Sequence, residues 1–154
     1  MKKFIMITLL FAFYAVNAQQ NAIKTGPIAL AFGNLNVAFE HQFSEKMSVV
    51  LKAKYFMGYK INDEAYDAFG LGVGTRFYLI PKHELAGFYL HPQFNYSSMG
   101  LSNVGATIGY QWHWDNNLVL DLGIGPAKYL VIGEFSGDVP GLWPIVTGAI
   151  GYAF

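Results

Sequence analysis

The chain has 154 residues, with ten basic and ten acidic residues and four histidines, so its formal net charge at pH 7 is zero. It contains no cysteine, which excludes disulfides, thiolate metal sites and cysteine nucleophiles. A balanced charge without basic clusters argues against a nucleic-acid partner. Charged residues make up only 13% of the chain and aromatic residues 17%, a composition that suits contact with lipid better than contact with water.

The first residues have the order of a secretory signal. Two lysines, residues 2–3, precede an apolar run over residues 4–16. This run is shorter than the roughly 20 residues that a membrane-spanning helix needs, and small residues follow it. We therefore expect residues 1–18 to be a signal peptide and residues 19–154 to form one domain.

The remainder of the chain alternates between apolar and polar residues. In residues 47–60, for example, Val49 and Leu51 alternate with Ser48 and Lys52. Such segments of about ten residues, separated by turn residues, are typical of transmembrane β-barrels, whose smallest members have eight strands. The predicted strands are residues 22–32, 34–44, 47–60, 69–80, 85–97, 101–114, 117–130 and 142–154. The sequence thus predicts an all-β fold, an eight-stranded antiparallel up-and-down transmembrane β-barrel.

Connection lengths predict the orientation of the barrel. The connections near residues 45–46, 81–84 and 115–117 are short, whereas those at residues 61–68 and 131–141 are longer. Outer-membrane barrels have short periplasmic turns and longer outer loops. Both termini are therefore predicted to be periplasmic.

Several residues fit this pattern poorly. The first strand has weak alternation, and Gly33 and Asn34 leave almost no room for a loop after it. Pro92, Pro126 and Pro144 fall within predicted strands, where proline cannot donate to the ladder. We expect a bulge or a strand end at each proline.

Aromatic residues gather toward the ends of the predicted strands. Rings of this kind favour the membrane interfaces, so they predict two aromatic girdles. The periplasmic girdle comprises Phe43, Trp112, Trp114, Tyr152 and Phe154, and the outer girdle Tyr55, Tyr59, Phe69, Phe94 and Tyr96.

If the apolar face meets lipid, the ionisable side chains on the other face point into the lumen. The interior of an eight-stranded barrel is just wide enough for side chains to fill, and buried charges must pair. The sequence therefore predicts a closed, salt-bridged lumen. The predicted lumen ionic cluster is Glu40, Lys52, Lys54, Arg76, Asp121, His91 and His113.

Turn lengths also predict which lumenal residues face each other, because interior positions must oppose interior positions across a hairpin. The predicted pairs are Glu40 with Lys52, Arg76 with Tyr89, and Gln111 with Asp121.

Two binding functions compete with this structural interpretation. Lys52, Lys54 and Arg76 could line a narrow anion-conducting pore. A metal site would need His91 and His113 together, but about six rungs of roughly 3.3 Å separate them. We expect no metal site.

We also expect no enzymatic activity and no cofactor. Acyl chemistry on lipids needs a serine beside a histidine, and no His-x-Ser arrangement occurs in the chain. The glycine string at residues 70–74 is not followed by a predicted helix, as a nucleotide site would require. An outer-membrane lipid-modifying hydrolase remains an alternative, as does a soluble lipocalin-like carrier with an apolar interior.

The carboxy-terminal strand resembles the closing strand of a bacterial outer-membrane barrel. Counting back in twos from Phe154 gives Tyr152 and Ile150, so one face is apolar and ends on an aromatic residue. In those barrels such a face is the assembly signal, and the resemblance implies recognition by the barrel-assembly machinery.

Three stretches, residues 34–41, 72–79 and 85–90, resemble an uncharacterised family of small bacterial outer-membrane β-barrel proteins of OmpX-like and OmpA-like architecture. The resemblance implies a monomer in outer-membrane lipid of a Gram-negative bacterium, with no catalytic residues assigned. It also implies an envelope structural or surface-interaction role through the loops at residues 61–68 and 131–141. The sequence identifies no extracellular ligand.

Overall fold

The computed structural model describes residues 20–61, 64–132 and 141–154. Eight antiparallel strands form one closed barrel in sequential order, with β8 paired to β1. The elements are β1 (Asn21–Thr25), α1 (Pro27–Ala31), β2 (Asn34–Ser44), β3 (Met47–Ile61), β4 (Glu64–His83), β5 (Ala86–Ser97), β6 (Leu101–His113), β7 (Leu118–Val131) and β8 (Trp143–Ala153). The predicted eight-stranded antiparallel barrel is therefore confirmed. The signal peptide predicted at residues 1–18 lies outside the described residues.

The two ends of the barrel are distinguished by the chain's terminal strands. Asn21 and Phe154 exchange two backbone hydrogen bonds, of 3.1 and 2.8 Å. We call this the near end, and it also holds the turns that follow β2, β4 and β6. The far end holds α1 and the connections that follow β3, β5 and β7.

Helices do not provide a membrane span in the described residues, since none of them has the length and apolar character that crossing a bilayer requires.

The barrel wall is apolar outside and polar inside. Leu51 on the outer face is 51% exposed, whereas Arg76 and Asp121 on the inner face are each 1% exposed. Successive side chains of a strand point to opposite faces, so the period-two pattern of the sequence sorts the two kinds of side chain. The predicted assignment of the two faces is confirmed.

The register between β2 and β3 differs from the prediction. Glu40 faces Val50, and Lys52 faces Ala38. A bulge near the end of β2 and a tight turn displace the predicted pairing. The expected Glu40–Lys52 pair is therefore wrong, although both side chains are on the inner face.

Two other register predictions have different outcomes. Gln111 lies opposite Asp121, as predicted. Tyr89 faces Tyr78 rather than Arg76, because β4 extends further than predicted and its ladder with β5 contains two register shifts. The Arg76–Tyr89 pairing is wrong as a register assignment.

The first strand is much shorter than the predicted residues 22–32. β1 ends at Thr25, and Pro27 begins the one-turn helix α1. Proline lacks the N–H that would continue a ladder, but its fixed φ suits the first turn of a helix. Gly33, with φ of +73°, then turns the chain into β2. The helix and this turn supply the connection for which the sequence left no room.

The prolines disturb the strands less than expected. Pro144 is the second residue of β8, so the predicted strand end is confirmed there. Pro92 pairs with Ala106 inside β5, and Pro126 pairs with Pro144, with no register shift at either position. The expected bulge or strand end is therefore wrong at Pro92 and at Pro126. Each of these prolines instead faces a gap of two pairs in one neighbouring ladder, which resumes in the same register beyond the missing N–H.

The predicted loop at residues 61–68 is mostly strand. β3 continues through Ile61, and β4 begins at Glu64 and is paired with it. The four-residue turn expected at residues 81–84 is also wrong, since β4 runs to His83. Of the predicted loop at residues 131–141, residues 133–140 lie outside the described part of the chain.

Candidate functional site

Four ionisable side chains meet in the middle of the lumen. Lys24 Nζ donates to Glu40 Oε2 at 2.5 Å and to Asp121 Oδ2 at 3.1 Å. Arg76 donates from Nη1 to Glu40 Oε2 at 3.2 Å and from Nη2 to Asp121 Oδ2. Each of the four residues is at most 2% exposed. We call Lys24, Glu40, Arg76 and Asp121 the central ionic cluster.

Hydroxyl groups satisfy the remaining carboxylate oxygens of this cluster. Glu40 Oε1 accepts from Ser48 Oγ at 2.5 Å and from Tyr78 Oη at 2.9 Å. Asp121 Oδ1 accepts from Tyr89 Oη at 2.6 Å. Donors on both oxygens of a buried carboxylate favour its ionised form.

The amide of Gln111 joins the cluster to the near end. Its Oε1 accepts from Lys24 Nζ at 2.8 Å and from Arg76 Nη1 at 2.5 Å. Its Nε2 donates to the backbone oxygen of Leu85 at 2.8 Å. Gln111 therefore fixes both cations and the turn that follows β4.

Charge balance explains why this cluster can be buried. Two cations face two carboxylates, and the ion pairs are supported by hydrogen bonds from neutral groups. Burying charges is costly unless they are paired and hydrogen-bonded, and removing one partner leaves an uncompensated charge. The cluster therefore stabilises the lumen only as a complete set.

The near end of the lumen is closed by an apolar side chain. Leu85 is fully buried and packs with Ala22, Val119 and Ala153. Its φ of +54° belongs to the tight turn between β4 and β5. Its backbone N–H donates to Gln42 Oε1 at 2.7 Å. This turn places Leu85 across the lumen below the central ionic cluster.

The structure brings together only some of the residues predicted for the lumen cluster. Glu40, Arg76 and Asp121 meet in the central ionic cluster, but His91 and His113 lie outside it. His91 Nδ1 is 3.1 Å from the backbone oxygen of Thr75, and His113 Nδ1 is 2.9 Å from that of Glu84. No group of three His, Asp or Glu residues suited to a metal occurs among the residues that the structure describes.

Lys52 and Lys54 line a cavity of about 200 Å³ between the central ionic cluster and the far end. Lys52 Nζ donates to Gln93 Oε1 at 2.6 Å. We call this cavity the far vestibule. Lys24, Arg76 and Asp121 of the cluster form its floor. Its other polar lining residues are Lys52, Lys54, Gln93, Asn95, Asn103, Asn36, Asn34, Tyr129 and Thr147. The predicted set of lumenal charges is thus divided between two places.

Sequence reasoning missed Lys24, one of the two cations of the cluster. It lies in the strand with the weakest alternation, and its neighbours Gly26 and Pro27 end that strand early. The parity that Lys24 shares with Ala22 was the signal in the sequence, and the structure gives it meaning by placing Ala22 opposite Glu40. The roles of Tyr78 and Tyr89 were also missed, since their hydroxyls reach across the lumen rather than to a neighbouring strand.

A family model matches residues 4–133 of the chain, which is most of its length. The chain belongs to the DUF3575 family. That family is described as a protein of unknown function, so membership assigns no activity to the lumen, and β8 lies beyond the matched residues. Neither the curated proteins nor the solved structures contain a significant match.

Proposed function

We propose that this DUF3575 protein is a monomeric transmembrane β-barrel of the outer membrane of a Gram-negative bacterium. Its near end, with both termini, faces the periplasm. It acts as an envelope structural or surface-interaction protein with a closed, salt-bridged lumen and no catalytic site. The observation that carries this proposal is the inverted wall, with apolar side chains outside and a paired ionic cluster inside.

The composition of the outer surface supports contact with hydrocarbon. Large apolar side chains on every full-length strand point outward, among them Phe39, Leu71, Leu90, Ile108 and Leu122. Soluble monomers rarely expose apolar patches larger than a few hundred Å². A continuous apolar belt is what a lipid-facing wall requires.

Aromatic side chains near both ends support the same placement. Trp114 and Tyr152 are exposed at the near end, and Tyr55 and Phe69 are exposed toward the far end. Such rings are favourable at the level of lipid headgroups. Tyr59, the fifth residue of the predicted outer girdle, has a side chain outside the described set.

The last strand supports recognition by the barrel-assembly machinery. Ile150 and Tyr152 of β8 and Phe154, which follows its last residue, are exposed on the outer side, and β8 closes the barrel on β1. Before the barrel closes, the outward apolar side chains of β8 are accessible to a binding partner. We propose that these three residues form the assembly signal.

The lumen favours a closed barrel over a conducting one. The central ionic cluster occupies the middle, and Leu85 closes the near end. An anion entering past Lys54 and Lys52 meets two carboxylates that are already paired. The ionic interior is likewise the reverse of what a soluble carrier of an apolar ligand needs.

Membrane placement is tested by a charge on the outer face. Leu51→Arg lies on the apolar belt, where an arginine near the bilayer midplane costs about 2–4 kcal/mol. We expect this loss in the free energy of unfolding from lipid vesicles, measured by urea titration. Ser44→Arg, at the exposed near end of β2, is the matched control and changes it by less than about 1 kcal/mol. Equal stability of the two variants in vesicles would contradict the proposal.

Closure of the lumen is tested by planar-bilayer recording of the refolded full chain. We expect no steady unitary conductance from the wild-type protein, because the cluster and Leu85 block the lumen in series. Reproducible ion-selective channels in the wild type would contradict the closed lumen and support the alternative of a narrow anion-conducting pore.

A further inference from the structure

The far vestibule differs from the central ionic cluster in its charge. All four ion pairs among the described residues belong to the cluster. Lys52 and Lys54 line the vestibule, and neither is within salt-bridge distance of a carboxylate in the described part of the chain. The cluster is internally neutral, so the two lysines are basic side chains without a described carboxylate partner beside a cavity of about 200 Å³.

A buried donor beside the lysines has no partner. Gln93 is 5% exposed and lines the cavity. Its Oε1 accepts from Lys52, while no hydrogen-bond partner of its Nε2 occurs among the described residues. Buried donors are normally satisfied, because leaving one unpaired costs about 1–3 kcal/mol. Two lysine amino groups and an unused amide N–H can donate to an oxyanion, whose negative charge favours the protonated lysines.

We propose that the far vestibule binds a phosphate or carboxylate group through Lys52, Lys54 and Gln93. The central ionic cluster ends the cavity, so the anion binds and returns by the same route without crossing the barrel. Lys52 holds Gln93 in place through Oε1, which directs Nε2 to the same ligand. This inference does not depend on membrane placement, because the three donors belong to the barrel itself.

Beside the vestibule, β1 and β8 are not paired along part of the wall, and we call this stretch the seam. β1 pairs with β8 over Ala22–Thr25 and Ile150–Ala153, whereas β8 begins at Trp143. The part of β8 before Ile150 therefore extends past the end of β1. The single helical turn α1 lies there against β2 and β8.

The seam gives the anion a second route of arrival. Ala29 of α1 lines the vestibule together with Thr147 and Gly148 of β8. On the outer side of the same segment, Ile28 and Phe32 are 67% and 84% exposed. An anionic lipid headgroup could enter beside α1 with its chain left outside, whereas a free anion would enter from water. The lipid source alone rests on the proposed membrane placement.

Calorimetry on the folded full chain in uncharged maltoside micelles tests the proposal. The probes are inorganic phosphate, butyl phosphate and decyl phosphate at low ionic strength. We expect saturable binding that weakens by about tenfold for each lysine replaced in Lys52→Met and Lys54→Met, since a hydrogen bond to a charged group contributes about 1.5–3 kcal/mol. Lys54→Arg should retain binding. Lys46→Met, in the exposed near-end turn, is the matched control and should bind as the wild type does.

The three probes also distinguish the two sources of the anion. Equal binding of butyl and decyl phosphate supports the site with an anion from water. At least about tenfold tighter binding of decyl phosphate, weakened by Ala29→Trp at the seam, supports the site with a lipid headgroup. Absence of saturable binding by all three probes, or unchanged binding in the lysine variants, overturns the proposal. Neither of these two results tests membrane placement, which the Leu51→Arg measurement tests separately.

Folding of each variant is checked by heat-modifiable migration on a gel. If Lys52→Met does not fold, the Lys54 variants carry the test. Lys54→Met must then weaken binding and Lys54→Arg must preserve it. Equal weakening by both would show a loss of shape rather than of charge and would overturn the proposal.

Discussion

The lumen accommodates buried charge differently on the two sides of its middle. We call the part from the near end up to and including the central ionic cluster the near half, and the far vestibule beyond the cluster the far half; both contain similar polar residues. In the near half, two cations and two carboxylates pair and are enclosed by hydroxyl and amide groups. In the far half, Lys52 and Lys54 surround open space without a described carboxylate partner. Position along the barrel, more than residue type, therefore decides whether a basic or acidic side chain has a structural role or remains available to a ligand.

The largest expected effect breaks the charge balance of the near half. Glu40→Gln keeps the size of the side chain but leaves two buried cations with one carboxylate. Removing one partner of a buried ion pair typically costs about 3–5 kcal/mol. We expect this loss in the free energy of unfolding, measured by urea titration in lipid vesicles.

The exposed Glu45 in the next turn provides the control for that measurement. Glu45→Gln removes the same charge from water and should change stability by less than about 0.5 kcal/mol. If Glu40→Gln were as mild as Glu45→Gln, the central ionic cluster would not stabilise the barrel.

The next effect concerns the apolar closure of the near end. Leu85→Ala removes a fully buried side chain from its contacts with Ala22, Val119 and Ala153. Such truncations cost about 2–5 kcal/mol. We expect a loss at the low end of this range, because the site adjoins the polar lumen. Conductance should stay absent, since the central ionic cluster still closes the barrel, and channel activity in this variant would show that Leu85 alone blocks the lumen.

A smaller effect tests how tightly the near half is packed. A Cβ at Gly109 would overlap the Tyr89 hydroxyl and the backbone oxygen of Leu122. Gly109→Ala should therefore displace Tyr89 from Asp121 and cost about 1–3 kcal/mol. Gly141 is the control, since no atom of the described residues lies within 4 Å of its Cβ position, and Gly141→Ala should leave the unfolding transition unchanged. Equal urea midpoints for the two variants would count against close packing.

The smallest effect is expected in the far half. Lys54→Met removes a basic group that has no described carboxylate partner. The free energy of unfolding should therefore change by less than about 1 kcal/mol. The same urea titration in vesicles measures it. A loss comparable with that of Glu40→Gln would mean that both halves of the lumen depend on paired charge and do not differ in this respect.

Much of the fold could be predicted because alternation is a local property. The sequence segments 34–44 and 101–114 coincide with β2 and β6 to within one residue. Both have clear alternation bounded by turn residues. The first strand was predicted too long because its pattern is weak and the outcome depended on Pro27, which suits a helix as well as a strand end.

The division of the lumenal charges could not be predicted in the same way. Glu40 and Lys52 share the inner face, as their parity indicated, but a bulge near the end of β2 and a turn shorter than predicted together move their register by two residues. Lys24 reaches Glu40 and Asp121 from the closing side of the barrel. Both facts depend on contacts between distant parts of the chain.

The sequence by itself determined the number of strands, the apolar and polar faces and, except for Lys24, the ionisable residues available to the lumen. Each of these follows from a period-two pattern that is complete within a single segment. Only the tertiary structure decided which charges pair, where the lumen is closed and where α1 replaces a ladder. Register across a closed barrel depends on bulges and turn geometry at a distance, and a small shift in either gives every lumenal charge a different neighbour.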